Sequence, residues 1–143
     1  MAYRVIVAGG RVAISQRLVE AVLDRLSVDW PGDTILVHGC AQGTDTFAGN
    51  WGSRHGFAVQ PMPVDSALDD SFEDAPKRRN ARMLAEAPDC ILAFPGGPGT
   101  RHMVKIGDAA NVPIYDVEID GDHFRVWLWG GREKASFVTE GEI

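Results

Sequence analysis

Cys90-Ile91-Leu92-Ala93-Phe94-Pro95-Gly96-Gly97-Pro98-Gly99-Thr100 joins an apolar run of strand length to a segment, Arg101 to Ala110, that reads as a helix. Its glycines therefore lie where a strand hands over to a helix. Glycine lets the backbone take positive φ and approach a ligand closely, and the first N–H groups of a helix have no acceptor within it, so such a junction suits an anion and above all a phosphate. A tight turn that needs glycine only for its own geometry is the plainer alternative.

Toward the amino end, Val5-Ile6-Val7-Ala8 is another continuous apolar run, closed by Gly9-Gly10-Arg11, as expected of a strand buried on both faces of a parallel sheet. Ser15 is placed to cap a helix in which Leu18, Val19, Val22, Leu23 and Leu26 recur at three- and four-residue spacing. Thr34 to His38 reads as the second strand. Gly39-Cys40-Ala41-Gln42-Gly43-Thr44-Asp45 is a second glycine-bearing turn, opening a helix that runs to Arg54. Phe57 to Met62 reads as a short strand frayed by Pro61 and Pro63, which suits a sheet edge. From Asp65 to Asp74 five of ten residues are acidic with no apolar periodicity, which predicts a mobile surface loop, and Pro76 then opens a helix that Pro88-Asp89 closes.

Toward the carboxyl end, Val112 to Val117 opens a fifth strand. Asp120-Gly121 predicts a two-residue hairpin between Ile114–Ile119 and Asp122–Trp129, with a partly ordered tail from Gly130 onward. The expected organisation is one domain over 1–129 and a tail over 130–143. Strand and helix alternate through short connections, so the predicted fold class is α/β: a Rossmann-like three-layer sandwich whose mostly parallel sheet ends in a C-terminal antiparallel hairpin. In the strand order 3-2-1-4-5 a ligand crevice opens between the first and fourth strands. The three glycine-bearing turns would then face one crevice.

At 143 residues and 45% hydrophobic, the chain suits a single core, and a net charge of −6 argues against a general nucleic-acid or membrane-surface binder. Cys40 and Cys90 have neither metal-ligand spacing nor the density of a disulfide scaffold, which predicts two small buried thiols, no metal, and a reducing cytoplasmic setting. No apolar run approaches ~18 residues, so neither a signal peptide nor a membrane span is expected. No lysine follows the glycines as in a Walker loop, and Gly9-Gly10 lacks dinucleotide-fingerprint spacing, so no ATPase, dehydrogenase or cofactor reading is supported.

Lys77, Arg78, Arg79 and Arg82 crowd the amino end of the Pro76 helix, where the helix dipole disfavours cations. Either the acidic residues upstream compensate them, or Arg79 or Arg82 points into the crevice and grips a phosphate through its paired guanidinium donors. Trp127 and Trp129 either pack under the tail or supply a contact between two copies of the chain.

Gly9-Gly10-Arg11, His38-Gly39-Cys40-Ala41-Gln42-Gly43-Thr44-Asp45, Arg79-Asn80-Ala81-Arg82-Met83 and Phe94-Pro95-Gly96-Gly97-Pro98-Gly99-Thr100 resemble, in order and spacing, the SLOG superfamily and most closely its YspA-like branch. The branch pattern runs G-G-R, H-G-x-A-x-G-A-D, R-N-x-x-M and F-P-G-G-x-G-T, and the resemblance covers roughly Tyr3 to Val117. Relatives include the Lonely Guy phosphoribohydrolases, the DNA-processing protein DprA, and sensor domains for ADP-ribose-type signals in antiphage systems. The resemblance implies a Rossmann-like domain that binds a nucleotide-derived small molecule, as host sensor or phage product. Many relatives of this fold are dimers.

Carried over by position, Gly96, Gly97, Gly99 and Thr100 would cradle the phosphate together with Pro95. Arg79 matches the arginine of the phosphoribohydrolase R-K-x-x-M motif and Asn80 follows it; Gly9, Gly10, Arg11 and Gly39 would line the nucleotide, and Asp45 would reach a ribose hydroxyl or base amine. The phosphoribohydrolases read P-G-G-x-G-T-x-x-E, and this chain has Met103 where their glutamate assists cleavage of the N-glycosidic bond. The resemblance therefore implies a binder of a nucleotide or ADP-ribose-like molecule, a sensor or sequestering module, with a nucleoside-monophosphate glycosidase as the alternative.

Overall fold

A computed structural model describes residues 2–11, 14–69, 74–130 and 133–143. Strand β1 (Arg4–Ala8) lies at the centre of a sheet, flanked by β2 (Ile35–His38) and β4 (Cys90–Ala93), with β3 (Ala58–Pro61) beyond β2 and β5 (Ile114–Asp120) beyond β4. These five strands are parallel and follow the predicted order 3-2-1-4-5. The apolar runs reach that position because only a residue with nothing polar to hide tolerates cover from both sides. Val5 and Val7 face one way and Ile6 and Ala8 the other, and all four are buried.

Helices α1 (Gln16–Leu26) and α2 (Thr44–Arg54) cover the first face, where Leu18, Val19, Val22 and Leu23 meet Trp51 and the strands. As predicted, Ser15 caps α1, its Oγ accepting the Leu18 N–H at 3.0 Å. Helices α4 (Ala75–Leu84) and α5 (Pro98–Ala109) cover the second face through Met83 and Met103, with the four-residue turn of helix α3 (Ser66–Asp69) leading into α4. The result is the expected three layers. Pro61 sits in β3 at the sheet edge, where its missing N–H costs no ladder bond.

The hairpin forms one residue later than the sequence suggests: β6 (His123–Gly130) pairs antiparallel with β5, Asp120 opposite His123, and Gly121 takes the positive φ of 59° that the turn requires. The segment expected to be a tail is instead β7 (Glu133–Glu142), antiparallel to β6 with register shifts beside Trp127 and Leu128; residues 131 and 132 of that expectation lie outside the described residues. Its polar, non-alternating sequence hid it, because neighbours supply its stability: Phe137 meets Trp127 edge-on, and Arg25 of α1 reaches Thr139. Trp127 thus packs under the last strand, while Trp129 packs on the α5 face and donates to Asp116 at 3.2 Å.

The acidic loop also departs from expectation. Its first half is ordered, and Asp69 is buried, accepting the Asp65 N–H at 2.7 Å and a two-pronged bond from Arg82. Residues 70–73 of the expected mobile loop lie outside the described residues.

Candidate functional site

The carboxyl ends of β1, β2 and β4 meet at the point where the strand order reverses, and backbone bonds tie their turns together. Gly10 donates its N–H to the Pro95 carbonyl at 2.9 Å, and its own carbonyl accepts the Thr44 N–H at 3.2 Å and the Thr44 hydroxyl at 3.0 Å. Such approach requires glycine. A Cβ on Gly9 would stand 2.4 Å from Thr44 Oγ1 and 2.8 Å from Phe94 Cβ, and one on Gly43, at φ 76°, would strike the carbonyls of Gly10 and Arg11.

Between these turns and helices α4 and α5 lies a cleft of about 540 Å³. Gly9, Gly10, Arg11, Gly39, Asp45, Arg79, Asn80, Pro95, Gly96, Gly97, Gly99 and Thr100, the residues drawn from the sequence, all line it. The site residues drawn from the sequence left out Val7, Ala8, Ala41, Pro76, Met83, Pro98 and Met103; Ala41 sits inside a quoted motif and was legible, whereas Pro76 enters because α4 packs beside α5.

The turns do not contribute equally. Asp45 Oδ2 accepts the N–H groups of Gly39 at 3.0 Å and Ala41 at 3.1 Å, while the Cys40 N–H goes to His38 Nδ1 at 3.0 Å. Two amides of the second turn are thus taken by its own carboxylate, whereas those of Gln42 and Gly43, and those of Asp45 and Thr46 in the first turn of α2, have no acceptor among the described residues. Burial lifts Asp45 above the usual aspartate range against the pull of those N–H groups, His38 and Arg79, and burial pushes His38 below the usual histidine value. The third turn spends none of its amides on a side chain of its own. Those of Gly96 and Gly97 have no acceptor among the described residues, and those of Gly99 and Thr100 lie in the first turn of α5, where Pro98 has no N–H.

Gly97 and Gly99 differ from the packed glycines. Neither has a positive φ, and a Cβ on either would meet nothing within 4 Å. Nothing in the fold asks for glycine there.

Arg79 lies across the cleft from this turn. Its Nη1 donates to the carbonyls of Gly39 and, at 3.5 Å, Met62; its Nε reaches Asn80 Oδ1 at 3.2 Å, and burial lowers its basicity. Arg82, the other candidate for the crevice, is instead spent on Asp69, with both bonds at 2.8 Å, and on the Pro63 carbonyl. The acidic compensation foreseen for the cluster is therefore real for Arg82. Asn80 ties α4 to α5, donating to the Gly99 carbonyl at 3.3 Å and sitting 3.0 Å from His102 Nδ1. Burial and the charges of Lys77 and Lys105 depress His102.

Met103 is buried among Ile6, Ala8 and Met83 on the cleft floor, so a thioether occupies the place where the phosphoribohydrolases carry their acid. Cys90 is buried as expected, and burial drives its thiol up to about 12. Cys40, expected to be buried, is exposed, holds φ at 63°, and has a raised thiol pKa from partial burial and the Asp45 charge. A thiol so poised is a poor nucleophile. Among the described residues no cluster of His, Cys, Asp and Glu could hold a metal.

Five parallel strands in this order, helices on both faces and a cleft at the switch point define a Rossmann-like α/β protein. A family profile described as "YspA, cpYpsA-related SLOG family" matches residues 3–68. The chain is 32% identical over 117 residues to the Gene 61 protein of Mycobacterium phage D29, covering 78% of this chain and 93% of that protein. It belongs to the YspA, cpYpsA-related SLOG family. Among solved structures, selenomethionyl PaaA superposes with a TM-score of 0.51 at 10% identity over 95% of this chain, and protein VC1899 from Vibrio cholerae with 0.49 at 15% over 93%. The chain spans 47% and 35% of those two proteins. No helix among the described residues is long and apolar enough to cross a membrane.

Proposed function

We propose that the cleft binds the phosphate of a nucleotide or ADP-ribose-like small molecule and that the protein works as a sensor or sequestering module. The observation that carries this is the pair Gly97 and Gly99: glycine held at two positions where neither backbone conformation nor packing needs it, at the mouth of the helix turn whose amides are left over. A guest in van der Waals contact with that backbone accounts for both. Thr100 supplies a hydroxyl and Arg79 a cation beside it.

Cleavage by the phosphoribohydrolase route is disfavoured, because Met103 cannot exchange a proton and Asp45 is engaged by two backbone amides. Likeness to a phage protein supports sequestration by a phage product over a host sensor. Purified protein incubated with AMP, cytidine monophosphate and cyclic ADP-ribose tests the reading: stoichiometric retention of an unaltered ligand is expected, release of free base would make it an enzyme, and retention of none would remove the cleft as a nucleotide site.

A further inference from the structure

A second hollow, of about 410 Å³, lies on the other flank of the amino end of α5. It shares Pro95, Gly96 and Thr100 with the main cleft, so these residues stand between the two hollows; Pro95 and Gly96 are exposed, and Gly96 bears no side chain. One wall carries Arg101 and Lys105, one helical turn apart, both exposed and neither in an ion pair among the described residues. The opposite wall carries Trp129 of β6 and Asp116 of β5, which fix one another through the Trp129 Nε1–H bond to Asp116 Oδ2. Trp129 stands outside the quoted motifs and is contributed by the hairpin.

Resting on the reading of the main cleft, we propose that this hollow is a second subsite for the same molecule, so that the ligand is pyrophosphate-linked rather than a mononucleotide. The first phosphate sits over the amides of the third turn. The chain of the ligand then crosses at Gly96, its second phosphate meets Arg101 and Lys105, and a terminal sugar or base lies against Trp129 with a hydroxyl or amine offered to Asp116. Two cations facing a carboxylate across an aromatic wall match a group that is anionic at one end and hydrogen-bond-donating at the other.

Calorimetric titration with two matched pairs, AMP with ADP-ribose and UMP with UDP-glucose, tests this on the wild-type protein and on the double variant Arg101→Ser, Lys105→Ser. In one of the pairs the pyrophosphate-linked member is expected to bind on the order of tenfold more tightly than its monophosphate, with the double variant erasing that advantage and leaving the monophosphate affinity unchanged. Equal affinity within each pair for the wild type, or an advantage that survives in the double variant, overturns the second subsite and leaves the main cleft standing. Failure of all four molecules to bind overturns both.

Discussion

Arg79 reaches from α4 to donate a hydrogen bond to the carbonyl of Gly39, which places its guanidinium beside the turn that closes β2 and opposite the glycines of α5. A Cβ on Gly39 would fall 2.5 Å from the Arg79 Cζ, so a side chain there would displace the guanidinium from this position. Replacing Arg79 by alanine is expected to weaken ligand binding by ~1.5–3 kcal/mol, the range for losing a hydrogen bond to a charged group. Calorimetry against the ligand retained by the wild type checks it, and undiminished affinity would take Arg79 out of the site.

Two glycines separate packing from binding. Gly97→Leu places a side chain in open space at the cleft mouth, so stability should change by no more than about 0.5 kcal/mol while ligand binding is lost. Gly9→Ala drives a Cβ into Thr44 and Phe94, and denaturant unfolding should show a loss of about 1–3 kcal/mol. A Gly97→Leu protein that still binds would refute the phosphate role of the third turn.

The Arg82–Asp69 pair predicts a pH window. Arg82 holds Asp69 down to about 2 from an ordinary 3.8. A carboxylate whose pKa falls on folding contributes stability fully present above its unfolded value and lost as pH drops through the folded one, so the loss belongs between about pH 4 and pH 2. Arg82→Ala should lower Tm at pH 6 and melt almost together with the wild type at pH 2. A gap of constant size across that range would refute the pairing.

Cys40 holds a left-handed conformation that a side chain disfavours. Cys40→Gly should leave stability unchanged or raise it by up to ~1 kcal/mol, and Cys40→Val should lower it by ~1–2 kcal/mol. Paired thermal melts decide this. Destabilisation by glycine would mean that the thiol contributes packing that its exposure does not suggest.

The parallel core and the cleft were legible because their signals are local: apolar runs such as Val5 to Ala8, and glycine turns at the ends of three strands. What escaped was set by distant partners. Asp69 reads as one more acid of a solvated loop until Arg82, thirteen residues on, covers it. β7 has no apolar period of its own, and its pairing with β6 shows only once β6 is in place. Asp45 was found as a site residue but given an outward role, because nothing in a linear motif tells which amides its carboxylate will take.

That last feature has a consequence for how many guests the molecule can house. By folding one of its own acidic side chains into the cradle after β2, the protein arrives with two of the amides that could receive a guest already occupied. Asp45→Ala removes the resident carboxylate altogether, and the Gly39 and Ala41 amides it leaves behind would then become a docking place for a foreign oxyanion.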